Sequence, residues 1–454
     1  MSQSLFRPFY SVKWILALLL SLLPAAAWAQ ANWGYQRAVG GIIVDPSGAV
    51  RLPTVSERQE MLTELRAQAA KIASELNQRT ELRKVSLRTL EAALTDVLAG
   101  NQDRLPDELL YLAGLQRVQY ILVYPEQNDI VLAGPGEGWK FDQNGNAVGV
   151  TTGLPAVRLD DLLVAFRTVE AARTEGISVS IDPTNEGRQR FEAFMNRQRT
   201  FDRAVLPAAV EAMGVQQVTL TGVPADSHFA RILFAADFRM KQFGMKLDEA
   251  PVRGLPSYLD MLKSKGQVPG SATPRWWMAC NYEPVARSGD RLAWEIRGQG
   301  VKALTEDEVT AGDGTLQGTG RADPVAKQWA DLFTKHYPEL AAKDSTMAQL
   351  RNLMDLCVAC ALIQRENLVG LAGGKGFPLL MKPDSEFTVG QLPAPKTVET
   401  KCSFLKIGRN YVITASGGVQ IESWEVASNN VVTPQLKSVH AQGTPQAGKS
   451  WWWN

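Results

Sequence analysis

Between residues 118 and 243 the apolar residues switch repeatedly between two spacings. Alternation at every second position marks a strand with one buried face, and recurrence every three to four positions marks an amphipathic helix. Residues 118–124, 129–133, 177–181 and 215–220 read as strands, and 159–172, 183–198 and a segment from Asp226 or Ser227 to Phe243 read as helices. The last is the clearest, with Phe229, Ile232, Leu233, Ala236, Met240 and Phe243 on one stripe. A chain that alternates this way buries its helices against sheets, so residues 116–270 are read as an α/β core.

Around that core the texture changes. Residues 30–115 read as a hairpin turning at Asp45-Pro46-Ser47-Gly48 and then two helices over 54–99, with stripes Met61, Leu62, Leu65 and Leu87, Leu90, Leu94. Residues 271–425 read as a helical and β-rich C-terminal part. It holds strands at 275–280, 291–296 and 301–304, helices at 323–336 and 345–366, and a small meander over 402–422 that turns at Gly408 and at Gly417-Gly418. Residues 426–454 lack periodicity and read as a disordered tail. The fold class expected is α+β, with mixed sheet segments, several packed amphipathic helices and a small C-terminal β-meander.

The first 29 residues read as a signal peptide. Arg7 and Lys13 precede an apolar run of about ten residues, and Ala27 and Ala29 stand where a signal peptidase reads small side chains. Cleavage between Ala29 and Gln30 would deliver the chain to the periplasm or the exterior. That run is shorter than the ~20 residues a membrane span needs, and no later span is expected. The formal net charge is +1, which gives no bulk pull toward nucleic acid.

Four cysteines, Cys280, Cys357, Cys360 and Cys402, follow the leader. Cys357 and Cys360 form a C-x-x-C, but they fall mid-helix on an apolar face instead of at a helix start, which reads as buried structural thiols. Asp142-Gln143-Asn144-Gly145-Asn146 begins like a calcium loop, yet position 6 is Ala147 and position 12 is Gly153, so a hairpin turn accounts for it. Gly373-Gly374-Lys375-Gly376 lacks the spacing and the hydroxyl of a phosphate loop. With three histidines in the chain, a multi-histidine zinc centre is not supported. No metal or cofactor is expected.

Asp226, Ser227 and His228 place an acid, a hydroxyl and an imidazole side by side. Consecutive helical residues diverge by about 100°, so a helix cap explains them better than a triad. If a catalytic centre exists, His228 at a helix start after a strand is its candidate. Trp276 and Trp277, adjacent in a strand, must face opposite ways, one inward and one outward onto a contact surface. Trp451, Trp452 and Trp453 end the chain and are candidates for insertion into a partner.

Several stretches together resemble a planctomycete-type family of exported bacterial proteins built around a domain of unknown function. They are Val39-Gly-Gly-Ile-Ile-Val-Asp-Pro-Ser-Gly48, Asp129-Ile-Val-Leu-Ala-Gly-Pro-Gly-Glu-Gly-Trp139, Ile177-Ser-Val-Ser-Ile-Asp-Pro-Thr-Asn-Glu-Gly187, Gly222-Val-Pro-Ala-Asp-Ser-His-Phe-Ala-Arg231 and Gly254-Leu-Pro-Ser-Tyr-Leu-Asp260. The resemblance spans about residues 35–425. It implies export and one large unit, with no established activity and no catalytic residues to carry over.

The expected function is therefore a non-enzymatic binding or interaction protein that meets an envelope or extracellular protein. The alternative is an extracytoplasmic hydrolase with a site near residues 222–228. A third possibility is a small-molecule sensor or carrier.

Overall fold

The strand Arg275–Asn281 has Trp276 and Met278 wholly buried, while Trp277 and Ala279, which alternate with them, are half-exposed. The same alternation runs along Ile177–Pro183, another strand of the eight-stranded mixed sheet to which this one belongs. In spatial order the sheet runs Ile43–Val44, Ala49–Arg51, Thr397–Glu399, Val215–Thr221, Ile177–Pro183, Ser416–Ile421, Arg275–Asn281 and Gly300–Glu306. Arg275–Asn281 is parallel to Ser416–Ile421 and antiparallel to Gly300–Glu306. This computed structural model describes residues 38–68, 74–101, 105–198, 202–268, 274–310, 316–388 and 390–444.

Helices cover one face of the sheet. His228–Gly244 packs on Ile177–Pro183 and Ser416–Ile421, and Pro324–Lys343 packs on Gly300–Glu306. Ser345–Arg365 packs against both helices and against Leu159–Glu175. Its start is fixed by Asp344, whose carboxylate accepts the amides of Thr346 and Met347 and also the Arg239 guanidinium. By length and composition Ser345–Arg365 could cross a membrane, but 94% of its most apolar window is buried inside the protein. It is a core helix, and its buried Leu350, Leu353, Leu356 and Ile363 belong to the largest hydrophobic cluster.

A second, six-stranded sheet runs Asn430–Val432, Val285–Arg287, Ala293–Glu295, Tyr120–Tyr124, Asp129–Gly136 and Thr80–Ser86. The fold is α+β with mixed sheets. Strands from all three stretches distinguished in the sequence interleave in the larger sheet.

Three local expectations are corrected. Residues 54–99 are not two helices alone: Val55–Gln68 and Leu87–Leu98 are helical, but the strand Thr80–Ser86 lies between them. Arg83 within it is wholly buried and donates to the carbonyls of Leu76 and Gln78, a tertiary arrangement that the charged Glu81, Arg83 and Lys84 conceal in the sequence.

The meander loses its third strand. Ser403–Ile407 and Arg409–Ile413 form an isolated hairpin, and Ser416–Ile421 joins the large sheet. Gly417 and Gly418 are strand residues, not a turn. A Cβ at Gly418 would run into the Val179 carbonyl, so glycine is what lets these two strands approach.

Residues 430–443 are not a disordered tail. Asn430–Val432 pairs with Val285–Arg287, and Leu436–Gly443 is a helix. Leu436 is buried, the His440 ring stacks on Tyr124 at 4.4 Å, and the Tyr124 hydroxyl donates to the His440 carbonyl. The leader and Trp451, Trp452 and Trp453 lie outside the described residues.

Candidate functional site

The triplet Asp226, Ser227 and His228 does not converge. Ser227 caps the helix His228–Gly244: its hydroxyl accepts the Ala230 amide at 3.1 Å and donates to the Pro224 carbonyl at 2.6 Å. Asp226 is half-exposed, and its backbone carbonyl accepts the Leu392 amide. His228 turns to a different partner. Its Nδ1 donates to the Asp161 carboxylate, 2.9 Å from Oδ1 and 3.0 Å from Oδ2, with both side chains buried. Asp161 lies in the first turn of Leu159–Glu175, where the sequence shows only an acid suited to the helix dipole. Nothing in the chain signals a pairing across so long a sequence separation.

The cysteines are four free thiols. Burial pushes the Cys357 and Cys360 thiols well above their ordinary value. Burial also raises Cys280 and Cys402 to about 12. None of them is a ready thiolate nucleophile. The Asp142 carboxylate is consumed by its own turn, accepting the amides of Asn144 and Asn146 and the Asn146 side-chain amide. Among the described residues, no three His, Cys, Asp or Glu side chains gather as a metal set.

A cleft opens elsewhere, on the face of the large sheet opposite to its covering helices. It has a volume of about 570 Å³. Its floor comes from outward positions of three neighbouring strands. Trp277 pairs across with Leu304 and with Gly418, and Ala279 pairs across with Lys302 and Gln420. Two of the positions around Trp277, namely Ala279 and Gly418, carry little side chain. One side of the indole is covered by the Arg275 guanidinium, 5.5 Å from the ring centroid.

The walls are polar. At one end the short helix Ser423–Ser428 supplies Glu425, and Glu422 stands at its N-cap position. Trp424 anchors this helix to the core, its indole N–H donating to the Val169 carbonyl at 2.8 Å. The neighbouring Glu425 raises the proton affinity of Glu422; burial acts in the same direction and Lys302 opposes it. Gln420 donates to Glu422 at 2.6 Å. At the other end the Tyr282 hydroxyl donates to Asp355 at 2.8 Å. Arg117 holds the same carboxylate through Nε at 2.7 Å and Nη2 at 3.2 Å. This clamp fixes the cleft wall to the helix Ser345–Arg365, and Asp355 within it is wholly buried.

A family model described as "Protein of unknown function (DUF1598)" matches residues 179–258. The chain contains a DUF1598 domain. Its function is not established, and it accounts for a minority of the chain. No curated protein and no solved structure matches. The DUF1598 domain includes His228 and the ion pair of Asp237 with Lys241, buried where the helix meets the sheet at 2.8 Å. The cleft is built from residues C-terminal to the DUF1598 domain. Of the features visible in the sequence, only the opposite facing of Trp276 and Trp277 points to it.

Proposed function

We propose that this is an exported protein that acts by binding and not by catalysis, in the cell envelope or outside the cell, and that the cleft over Trp277 is where it binds. One observation carries the reading: an indole turned out of the core onto a preformed, polar-walled cleft of about 570 Å³. Small-molecule sites generally fall between about 300 and 1,000 Å³ and combine an apolar surface with a few polar groups of fixed direction. The leader-like first 29 residues support export, and the terminal Trp triplet would supply a separate contact to an envelope protein.

The hydrolase reading keeps one favourable observation. An imidazole oriented by a carboxylate, as His228 is by Asp161, is half of a base-and-orienter pair. Against it, the Ser227 hydroxyl is spent on the helix cap, and His228 is 6% exposed.

A thermal-shift screen on the wild-type chain and on Ala279→Leu tests the binding reading, because leucine fills the cleft from an outward position. Compounds that stabilise the wild type and not the variant support it. Hits that stabilise both equally contradict it.

A further inference from the structure

This inference rests on the reading of the cleft as the binding site and names what it takes. The geometry points to a neutral saccharide, with a pyranose ring stacked on Trp277 and its hydroxyls held by Lys302, Gln420, Asn281, Glu422 and Glu425.

The indole comes first. Arg275 covers one side of it, and the next outward position on the strand is Ala279, which lines the cleft with only a methyl. Across the strand pair Gly418 adds no side chain. The face of an indole is electronegative, and the C–H face of a pyranose is apolar and weakly positive, so the two stack.

The polar groups are of mixed type. Lys302 donates only, Asn281 and Gln420 both donate and accept, and the glutamates accept. A row of sugar hydroxyls needs both kinds.

Charge narrows the choice further. The lining carries three carboxylates, Glu283, Glu422 and Glu425, and one ammonium, Lys302. Arg297 stands 3.9 Å from Glu283, and Arg275 over Trp277 joins Lys302 as a second cation against Glu422 and Glu425. The cleft is thus close to neutral. A multivalent anion would meet the glutamates, and a multivalent cation would meet Lys302 and Arg275.

Cleavage does not follow from the two carboxyls. Glycosidases hold theirs about 5 to 9.5 Å apart, on either side of the bond to be broken. Glu422 and Glu425 stand together at one end of the cleft, at the N-cap and in the first turn of Ser423–Ser428, so they do not flank a bond. The saccharide would be bound and released intact.

The test is isothermal titration of the purified chain with N-acetylglucosamine, chitotriose, cellotriose and maltotriose, with spermidine and glucuronate as charged controls. The variants are Trp277→Ala, which removes the platform, and Ala279→Leu, which fills the space beside it; melting curves verify that both fold. At least one neutral sugar should bind the wild type with a Kd below about 1 mM, and each variant should weaken it tenfold or more. No new reducing ends should appear on long incubation. Failure of every neutral sugar to bind, or binding that survives both variants, overturns the inference. Spermidine or glucuronate binding that both variants abolish would overturn the saccharide assignment while leaving the cleft as the binding site. A ligand indifferent to both variants would overturn both.

Discussion

Trp276 and Trp277 are neighbours in the chain and lie on opposite faces of the same sheet. Trp276 is wholly buried, its ring 4.6 Å from that of Trp329 and 5.3 Å from that of Tyr258, whereas Trp277 lines the cleft. The first belongs to the stability of the fold, and the binding reading assigns the second to its use. Trp276→Ala should therefore cost about 3–5 kcal/mol in urea unfolding, the range for deleting a large core aromatic. Trp277→Ala should cost less than about 1 kcal/mol. Equal losses would mean that Trp277 is a structural residue.

His228 and Asp161 tie the helix His228–Gly244 to Leu159–Glu175. Removing the imidazole strands a buried carboxylate, so His228→Ala should destabilise by about 3–5 kcal/mol. Under conditions where the variant remains folded, ligand binding in the cleft should be unchanged. Loss of a hydrolytic activity without loss of stability would favour the alternative reading.

Asp237 gives a pH signature. Burial raises its carboxyl from an ordinary 3.8 to about 6, with Lys241 opposing the shift and Asp182 adding to it. The folded chain holds this proton more tightly than the unfolded chain does. The associated stability is fully present below pH 3.8 and is lost as the pH rises through about 6, worth about 3 kcal/mol across that window. The double variant Asp237→Leu with Lys241→Met should abolish this component of the pH dependence. The single variant Asp237→Asn leaves the Lys241 ammonium buried without its counter-charge and should cost about 3–5 kcal/mol at pH 7. Urea unfolding at pH 4 and pH 7 compares all three chains.

The segment after Asn430 belongs to the fold. Leu436→Ala should cost about 2–4 kcal/mol, as deletion of a buried leucine does elsewhere. Truncation after Asn430 should cost more, because it also removes the His440 ring from Tyr124 and the strand pairing of Val431 and Val432. Melting curves of the two chains decide this.

Cys357 and Cys360 should resist alkylation in the native chain, and all four cysteines should react as free thiols after unfolding. A native mass lighter than the fully reduced chain by two hydrogen atoms would show a disulfide and contradict this.

What could be read in the sequence is what local chemistry encodes. The helix His228–Gly244 announces itself through the Ser227 cap and an apolar stripe, and the strand Arg275–Asn281 through its run of large residues. What was missed is set by distant partners. Thr80–Ser86 looks helical because its charged residues, Arg83 buried among them, break the strand pattern. Asn430–Val432 is only three residues long and Leu436–Gly443 holds few apolar residues, and they find their partners in Val285–Arg287 and Tyr124. The cleft assembles side chains from strands far apart in the chain, and Trp277 alone gave a local hint of it. The His228–Asp161 pair gave none.

The most direct test of the central claim is fluorine NMR of the chain labelled with 5-fluorotryptophan, with the Trp277 resonance assigned through Trp277→Phe. On titration with whichever compound stabilises the wild type, the Trp277 signal should shift while those of the buried Trp276, Trp294 and Trp329 stay in place. A bound compound that leaves the Trp277 signal unmoved would show that the cleft is not where this protein binds.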